Sequence, residues 1–277
     1  MRIVVTGANG QLGRAMVTTL QAHHEVIGLG HQELELASAT AADIITALRP
    51  AAIIHAAAMT NVDGCARDPL TAYRINALGT RWVAQAAHRL NARLVVISTN
   101  EVFDGTAQLP YLEYDIPNPI NPYAQSKYAG ELAARELVSR LYVVRVAWLF
   151  GGARNFVRTV LRLANEQPSL RMVADEVGSP TYAADVAQAV AQVLATDMYG
   201  TYHFVNEGHC SRFELAQAAL QAAGKGDFPV HPMALAEYVR PSRVPPYTPL
   251  ANVAGAAVGI TLRPWQDALA EFVRTLE

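Results

Sequence analysis

The alternation of β-branched segments with Ala- and Leu-rich segments is the feature that most constrains the fold of this chain. Five strand-like runs in the first half are separated by helical stretches, including a long one around 70–90: "RIVVTG", "EVIGLG", "AAIIHAAA", "RLVVISTN" and "LYVVRVAWLFG". Apolar strands that alternate with helices are typical of a parallel sheet with helices on both faces. The pattern therefore predicts an α/β fold built on a doubly wound parallel sheet of the Rossmann type.

The pattern changes after Trp148, where helical segments near 155–166 and 211–223 alternate with the loop "ADEVGSPTYAADV" and the proline-rich "RPSRVPPYTPLAN". Between them lies one more strand-like run, "GTYHFVN", which we expect to return to the main sheet. We predict a dinucleotide-binding domain over residues 1–150, joined by the strand near 201–206. Residues 151–277 should form mainly a small, interleaved C-terminal lobe that binds substrate.

Composition excludes several classes of protein. Of the 277 residues, 51% are hydrophobic and 17% are charged, which favours a globular chain with a large buried core. A formal charge of -2 predicts neither a nucleic-acid surface nor a polybasic membrane contact. Cys65 and Cys210 lack the spacing of a disulfide framework or zinc site, so we expect free thiols and no metal. The opening "MRIVVTG" lacks the features of a secretion signal, and we expect a cytoplasmic protein without a membrane partner.

The segment "TGANGQLG" joins the first predicted strand to the first predicted helix and holds Gly7, Gly10 and Gly13. Glycine allows a tight turn and lets the backbone approach a pyrophosphate, while the helix N-terminus supplies amide donors. A GxxGxxG spacing in this position predicts a dinucleotide site.

The end of the second strand reads "GLGHQ", where a carboxylate would ordinarily bind the ribose 2′-hydroxyl of NADH. Arg14 and His31 are candidates for a 2′-phosphate, although an ordinary surface role explains them equally well. The sequence thus favours NADPH over NADH as the cofactor.

A candidate catalytic group lies in "NPYAQSKYAG", where Tyr123 and Lys127 are four residues apart. On a helix this spacing places both side chains on one face. The fourth strand ends in "VVISTN" and delivers Ser98 and Thr99 to the carboxyl edge of the sheet, where doubly wound folds bind ligands. We therefore expect a hydroxyl, a phenol and an ammonium group to converge at this edge.

These motifs resemble those of the extended short-chain dehydrogenase/reductases, and more narrowly those of the dTDP-4-dehydrorhamnose reductase family. The similar stretches extend over nearly the whole chain: "TGANGQLG", "RPAAIIHAAAMTNVDGCARDP", "INALGT", "ISTNEVFDG", "NPYAQSKYAGE", "RVAWLFG" and "DEVGSPTYAADVA". The resemblance implies NAD(P)H-dependent reduction of a 4-keto-6-deoxy nucleotide sugar in deoxysugar biosynthesis, for example of dTDP-rhamnose. It also allows a homodimer.

The resemblance implies roles for individual residues. Tyr123 would give its phenolic proton to the substrate oxygen, Lys127 would assist it and bind the nicotinamide ribose, and Thr99 would hydrogen-bond the carbonyl. The ammonium of Lys127 and an oxidised nicotinamide would lower the pKa of the phenol. Further implied contacts to the cofactor are Gln11, Leu12, Glu35, Leu36, Ala56, Ala57, Ala58 and Asn76. Implied contacts to the substrate are Thr60, Val62, Asn100, Trp148 and Arg243.

Several of these residues also have a purely structural interpretation. Small residues at 56–58 suit close packing of helix and sheet, Asn76 suits a buried structural amide, and Trp148 suits the core of an apolar strand. The guanidinium of Arg243 suits a nucleotide diphosphate, but a surface role fits it almost as well.

The chain departs from the family pattern at two places. It has "STNEVF" where the family commonly has STDYVF, so Asn100 and Glu101 replace an acid and an aromatic residue. In the proline-rich segment, Val244 stands where the family has an arginine directly before proline. These departures leave open a different nucleotide sugar or another ketone as substrate. A nucleotide-sugar epimerase or dehydratase on the same scaffold is the second enzymatic alternative. A non-catalytic subunit that resembles the regulatory β-subunit of methionine adenosyltransferase is a third alternative.

Overall fold

The protein is described here by a computed structural model, which covers residues 1–276. Glu277, the last residue of the predicted lobe, lies outside the described residues. The elements of the first half are, in chain order, β1 Arg2–Thr6, α1 Gln11–Leu20, β2 Glu25–Leu29, α2 Thr40–Ala47, β3 Ala52–His55, α3 Val62–Arg67, α4 Pro69–Tyr73, a π-helical turn Arg74–Leu78, α5 Gly79–Leu90, β4 Arg93–Thr99, a 3₁₀ turn Asn100–Val102, α6 Pro122–Leu137 and β5 Leu141–Val146.

The second half contains shorter strands and five helices within the described residues. In chain order they are β6 Leu149–Phe150, α7 Phe156–Glu166, β7 Leu170–Val173, β8 Val177–Gly178, β9 Thr181–Tyr182, α8 Ala183–Leu194, β10 Gly200–His203, β11 Cys210–Ser211, α9 Arg212–Ala222, β12 Val230–Met233, a 3₁₀ turn Leu235–Glu237, α10 Val253–Ala257 and α11 Trp265–Arg274.

Six strands form one parallel sheet in the order β10-β5-β4-β3-β1-β2. The predicted doubly wound α/β fold is confirmed. From β1 the chain moves outward to β2 and then crosses to β3 on the other side of β1. Ligands of such sheets bind outside the carboxyl ends of the strands where the winding reverses. Strand β10, far along the chain, pairs with β5 at the opposite edge.

The two faces of the sheet are buried under different helices because successive strand residues point to opposite sides. Ile3 and Val5 pack with Met16 of α1 and Val190 of α8 in one cluster. Val4, which lies between them in β1, belongs to the other cluster, with helices α2, α5 and α6. This coverage on both sides explains why the strands read as continuous apolar runs.

A separate core holds together much of the chain after β5. It contains Phe150, Tyr182, Trp265 and Phe272, and it lies between short strands and the helices α9 and α11. Both cysteines are buried free thiols, as predicted. None of the helices within residues 1–276 combines the length and the apolar character that crossing a membrane requires.

Candidate active site

The glycine turn after β1 is built for close backbone approach. Gly7 has φ 70°, and a Cβ at this position would lie 2.7 Å from the Cα of Ala57. A Cβ at position 13 would overlap the carbonyl oxygen of Gly7. A side chain at either position would therefore displace the backbone of the turn.

Helix α1 begins directly after this turn, with Gly10 as its N-cap. Within residues 1–276, no side chain caps its first amides, and its first turn carries no acidic residue. Unpaired N–H groups and the positive end of the helix dipole favour an anion here. The glycine turn and the uncapped helix start that the sequence predicts are thus present.

A cleft of ≈ 510 Å³ runs from this turn along the carboxyl edge of the sheet, and a smaller hollow of ≈ 150 Å³ adjoins it near the end of β2. The cleft brings together most of the predicted site: Gly7, Gly10, Gln11, Leu12, Gly13, His31, Ala56, Ala57, Ala58, Thr60, Val62, Thr99, Asn100, Tyr123 and Trp148. The hollow adds Glu35 and Leu36. Most of the predicted cofactor and substrate residues therefore line two adjoining depressions.

Thr99 and Tyr123 reach this cleft from different elements. Thr99 is the last residue of β4, and Tyr123 lies in the first turn of α6. Asn121 caps that helix by accepting a hydrogen bond from the amide of Ala124 at 2.9 Å, and Pro122 occupies its first position. Both features are strong helix-start signals, and they fix the position of the phenol.

Lys127 lies one turn further along α6, but within residues 1–276 it is not among those that line either depression. Its side chain is buried, and Nζ donates a hydrogen bond to the carbonyl oxygen of Ile97 at 2.6 Å. Burial lowers the pKa of Lys127 to about 8, while the carboxylate of Glu131 opposes this change. The ammonium thus lies behind the cleft wall, attached to the strand that carries Thr99.

The pKa of Tyr123 differs from the sequence-based expectation. We expected a lowered value, yet burial raises the pKa of Tyr123 and the nearby carboxyl of Glu101 raises it further. The hydroxyl of Thr99 opposes this change only in part. The phenol is therefore kept protonated, which is the state of a proton donor.

The asparagines at 76 and 100 use their amides within the protein. Asn76 lies in the π-helical turn, bonds the backbone of Met59 in both directions, and donates to Ser126 Oγ at 3.0 Å. Asn100 accepts from Thr99 Oγ1 at 3.3 Å and donates to Thr248 Oγ1 at 2.6 Å. Asn76 therefore fixes the wall beside Lys127, as the structural interpretation predicts.

Comparisons with known proteins agree with this arrangement. The profile of the family described as "RmlD substrate binding domain" matches residues 1–277. A dTDP-4-dehydrorhamnose reductase of Burkholderia thailandensis is 35% identical to the chain over 100% of this chain and 99% of that protein. The chain belongs to the dTDP-4-dehydrorhamnose reductase family.

Solved structures show the same relationship. A dTDP-4-dehydrorhamnose reductase of Clostridium acetobutylicum superposes with a TM-score of 0.96 at 36% identity, covering 100% of this chain and 99% of that one. The dTDP-4-dehydrorhamnose reductase of Bacillus anthracis, solved in complex with NADP, has a TM-score of 0.94 at 36% identity and 99% coverage of both chains. Fold and family are therefore established over the full length.

Two arginines line the cleft of this family member where the sequence had not suggested them. Arg154 lies in the loop after β6, and Arg212 is the first residue of α9. The guanidinium of Arg212 stacks 3.5 Å from the centre of the Trp148 ring and pairs with Glu176 at 3.1 Å. Neither arginine lies in a recognisable motif, so only the fold shows that they belong to the site.

Trp148 lines the cleft and also packs against the core that contains Phe150 and Tyr182. It has φ 40°, lies between β5 and β6, and lines the cleft of this reductase family member. A Cβ at position 178 would lie 2.5 Å from its indole, so Gly178 is required for this ring position. The side chain is half-buried, so Trp148 has the core contact as well as the position in the cleft wall.

Arg14 and Arg243, which were predicted to contact cofactor or substrate, do not line the cleft. Arg14 is exposed, bonds the carbonyl oxygen of Asn9 at 3.0 Å, and lines neither depression. Arg243 is exposed, and only its backbone oxygen takes part in the site region, by accepting from Asn121 Nδ2 at 3.0 Å. In this structure Arg154 and Arg212 supply the cationic groups of the cleft instead.

A metal centre is not evident in this family member. Among the side chains of residues 1–276, no three His, Cys, Asp or Glu groups lie together in a way that would hold an ion.

Proposed function

We propose that this protein reduces the ketone of a 4-keto-6-deoxy nucleotide sugar with NADPH, and that dTDP-4-dehydrorhamnose is its first candidate substrate. The observation that carries the proposal is the shared cleft: Thr99 and Tyr123 line the same depression as the glycine turn. The names of the relatives, and the complex of one of them with NADP, support the substrate and the cofactor.

The residues present fit a dinucleotide. The glycine turn lines the cleft, and the first amides of α1 carry no side-chain cap within the described residues, an arrangement that suits a pyrophosphate. Gln11 and Leu12 extend this surface, and Ala56, Ala57 and Ala58 line its opposite side. When bound, the reduced nicotinamide supplies the hydride, while the protein supplies position and charge.

Three side chains would handle the proton and the carbonyl. Tyr123 donates the phenolic proton to the ketone oxygen, since burial keeps it protonated. Thr99 donates its hydroxyl proton to Asn100 Oδ1 in this structure, and it would turn that proton to the ketone oxygen when substrate binds. Lys127 positions the helix that carries the phenol and places a cation behind it.

The sugar nucleotide would occupy the part of the cleft beyond Tyr123. Thr60, Val62 and Trp148 line it, and the indole offers a flat apolar face of the kind that sugar rings contact. Arg154 and Arg212 provide cationic groups for a diphosphate, because a guanidinium matches phosphate oxygens.

A spectrophotometric screen of nucleotide 4-keto sugars with NADPH and with NADH tests this function. The proposal predicts stoichiometric oxidation of the reduced cofactor with dTDP-4-dehydrorhamnose. An epimerase or dehydratase would convert substrate without net oxidation of added cofactor. A regulatory subunit would oxidise none with any keto sugar and would instead retain a partner enzyme.

The preference for NADPH is the finer part of the cofactor proposal. His31, two residues after the end of β2, lines the cleft. The nearest carboxylate in sequence is that of Glu33, which accepts a hydrogen bond from the amide of Gly30 at 2.8 Å. The sequence analysis did not consider Glu33, and this hydrogen bond engages one oxygen of its carboxylate. Titration of the protein with both reduced cofactors should give a lower Kd for NADPH, and a clear preference for NADH would overturn this part.

We further propose that the protein works in the cytoplasm as a homodimer. The location follows from the proposed use of NADPH and a sugar nucleotide, and the dimer rests on family resemblance. Sedimentation equilibrium would measure the oligomeric state, and a monomer at micromolar concentration would contradict the dimer.

A further inference from the structure

Glu101 is a carboxylate in the wall of the reaction cleft to which the proposed reaction assigns no role. It follows Thr99 by two residues, and its backbone amide donates to Thr99 Oγ1 at 3.2 Å. Its side chain is partly buried and lines the cleft together with Tyr123, Trp148 and Arg212. Glu101 therefore lies beside the two groups that would hold the ketone oxygen.

The contacts of this carboxyl leave one oxygen free. Oε2 accepts a hydrogen bond from Asn121 Nδ2 at 2.8 Å. Oε1 receives no hydrogen bond from any residue in 1–276, and no cationic side chain of these residues forms an ion pair with Glu101. Asn121 thus orients the carboxyl of Glu101 but leaves Oε1 without a hydrogen bond from the described residues.

A carboxyl in such a position is costly for the folded protein. Burial raises the pKa of Glu101, and the carboxylate of Glu176 adds to this change, while Asn121, Arg212 and Arg240 oppose it. A partly buried acid without an ion partner is seldom retained for stability alone. An unfilled acceptor that faces a ligand cleft is, in contrast, a means of binding a polar group of the ligand.

We propose that Glu101 is a specificity-determining residue that hydrogen-bonds the sugar hydroxyl next to the ketone. The inference rests on the proposed function and deepens it. In a 4-keto-6-deoxy pyranose, C5 carries the methyl group and the ring oxygen, so the only hydroxyl adjacent to the ketone is on C3. With the C4 oxygen held by Thr99 and Tyr123, the proposal places the C3 hydroxyl against Oε1, because Glu101 lines the same cleft and adjoins Thr99.

The substrate class is thereby narrowed to keto sugars with a free C3 hydroxyl. A site built to bind a hydroxyl discriminates strongly against the analogue that lacks it, because its own polar group is then left unpaired. The Glu101 carboxyl would thus exclude 3-deoxy sugars, which a side chain without a hydrogen-bonding group at this position would accept.

Binding to the NADP⁺-loaded full chain tests this without any need for turnover. Calorimetry should show that wild type binds dTDP-rhamnose at least about tenfold more tightly than its 3-deoxy analogue. Glu101→Leu should bind both with similar Kd, because it loses affinity only for the hydroxylated sugar. Glu101→Gln keeps a hydrogen-bonding group of the same size and should retain most of the preference.

The matched control is Glu136→Gln, which removes an exposed carboxylate of α6 that pairs with Arg81 at 3.5 Å. It should leave the preference unchanged. Equal loss of affinity for both sugars in Glu101→Leu, or equal affinity or no binding of both sugars in wild type, would overturn the inference. Failure of the proposed function is separate: it would appear as no oxidation of NADPH while the difference in binding persists.

Discussion

The side-chain nitrogen of Lys127 lies 2.6 Å from the backbone carbonyl oxygen of Ile97 and donates a hydrogen bond to it. This contact joins the helix that carries Tyr123 to the strand that ends in Thr99. Because both elements are fixed at one point, the phenol and the hydroxyl keep a constant spacing along the cleft. Lys127 is therefore as much a structural link as an electrostatic one.

The pH dependence of catalysis should follow the ionisation of Lys127. Its pKa of about 8 means that the free enzyme loses this charge as pH rises through that value. We expect kcat/KM to fall above about pH 8, since kcat/KM reports the ionisation of free enzyme. Glu131 raises the pKa of Lys127, so Glu131→Gln should move this fall to lower pH.

The exposed carboxylate of Glu136 on the same helix provides the comparison. Glu136→Gln should leave the profile of kcat/KM where it is. If the fall occurs at the same pH in Glu131→Gln as in wild type, another group is responsible for it.

Removing the phenolic hydroxyl should separate binding from chemistry. Tyr123→Phe should reduce kcat by about 100- to 10,000-fold, the usual contribution of a proton donor, while the Kd for NADPH stays close to that of wild type. Tyr128→Phe removes a hydroxyl from the next turn of α6 and should change neither quantity. Undiminished reduction by Tyr123→Phe would remove this residue from the mechanism.

Acid should destabilise the protein through two buried histidines. Burial lowers the pKa of His55 and of His203 to about 3, against an ordinary value of 6.5. The unfolded chain therefore binds more protons than the folded one between these values, and the free energy of unfolding falls as pH drops from 6.5 towards 3. Each histidine contributes roughly 1.4 kcal/mol per pH unit in this window.

Urea unfolding of variants at pH 7 and pH 5 would measure this. His55→Asn loses the hydrogen bonds to Thr6 at 2.7 Å and Thr80 at 3.1 Å, so it should be less stable at pH 7 but less sensitive to acid. His231→Asn, at an exposed position, should keep the acid sensitivity of wild type. An equal loss of stability from pH 7 to 5 in all three proteins would contradict the assignment.

A buried ion pair next to the catalytic helix should be vulnerable to removal of one partner. Arg145 makes two hydrogen bonds to Glu131, at 3.1 and 2.9 Å, and both side chains are buried. Arg145→Met leaves the buried carboxylate with only the longer contact to Arg135 at 3.7 Å and should cost ~3–5 kcal/mol in the free energy of unfolding. The double variant Arg145→Met/Glu131→Leu should recover most of this loss. If it were as unstable as the single variant, packing rather than charge would explain the cost.

Sequence reasoning was strongest where local pattern and backbone geometry coincide. Strand periodicity predicted the parallel sheet, and the spacing of Gly7 and Gly13 predicted a turn that only glycine permits. The position of Thr99 at a strand end and of Tyr123 in a first helical turn follows from the same local signals. These features need only short segments of chain, so the sequence contains them in full.

Features that depend on distant contacts were not predictable in this way. Arg212 reaches the cleft because α9 begins beside Trp148. The two residues are 64 positions apart in the chain, and no local sequence pattern near either one indicates that they meet. The raised pKa of Tyr123 depends on burial and on Glu101, which a helical i, i+4 pattern does not reveal. Arg243 is exposed, and its contact with Asn121, 122 positions earlier, is made by the backbone oxygen, which the sequence does not reveal.

The fate of the hydride tests the central claim most directly. The protein would be supplied with dTDP-4-dehydrorhamnose and NADPH that carries deuterium at the transferable position, and the product would be examined by mass spectrometry and NMR. The account predicts one deuterium at C4 of the reduced sugar for each NADPH oxidised. A sugar product without deuterium at C4, formed with no net oxidation of NADPH, would contradict it.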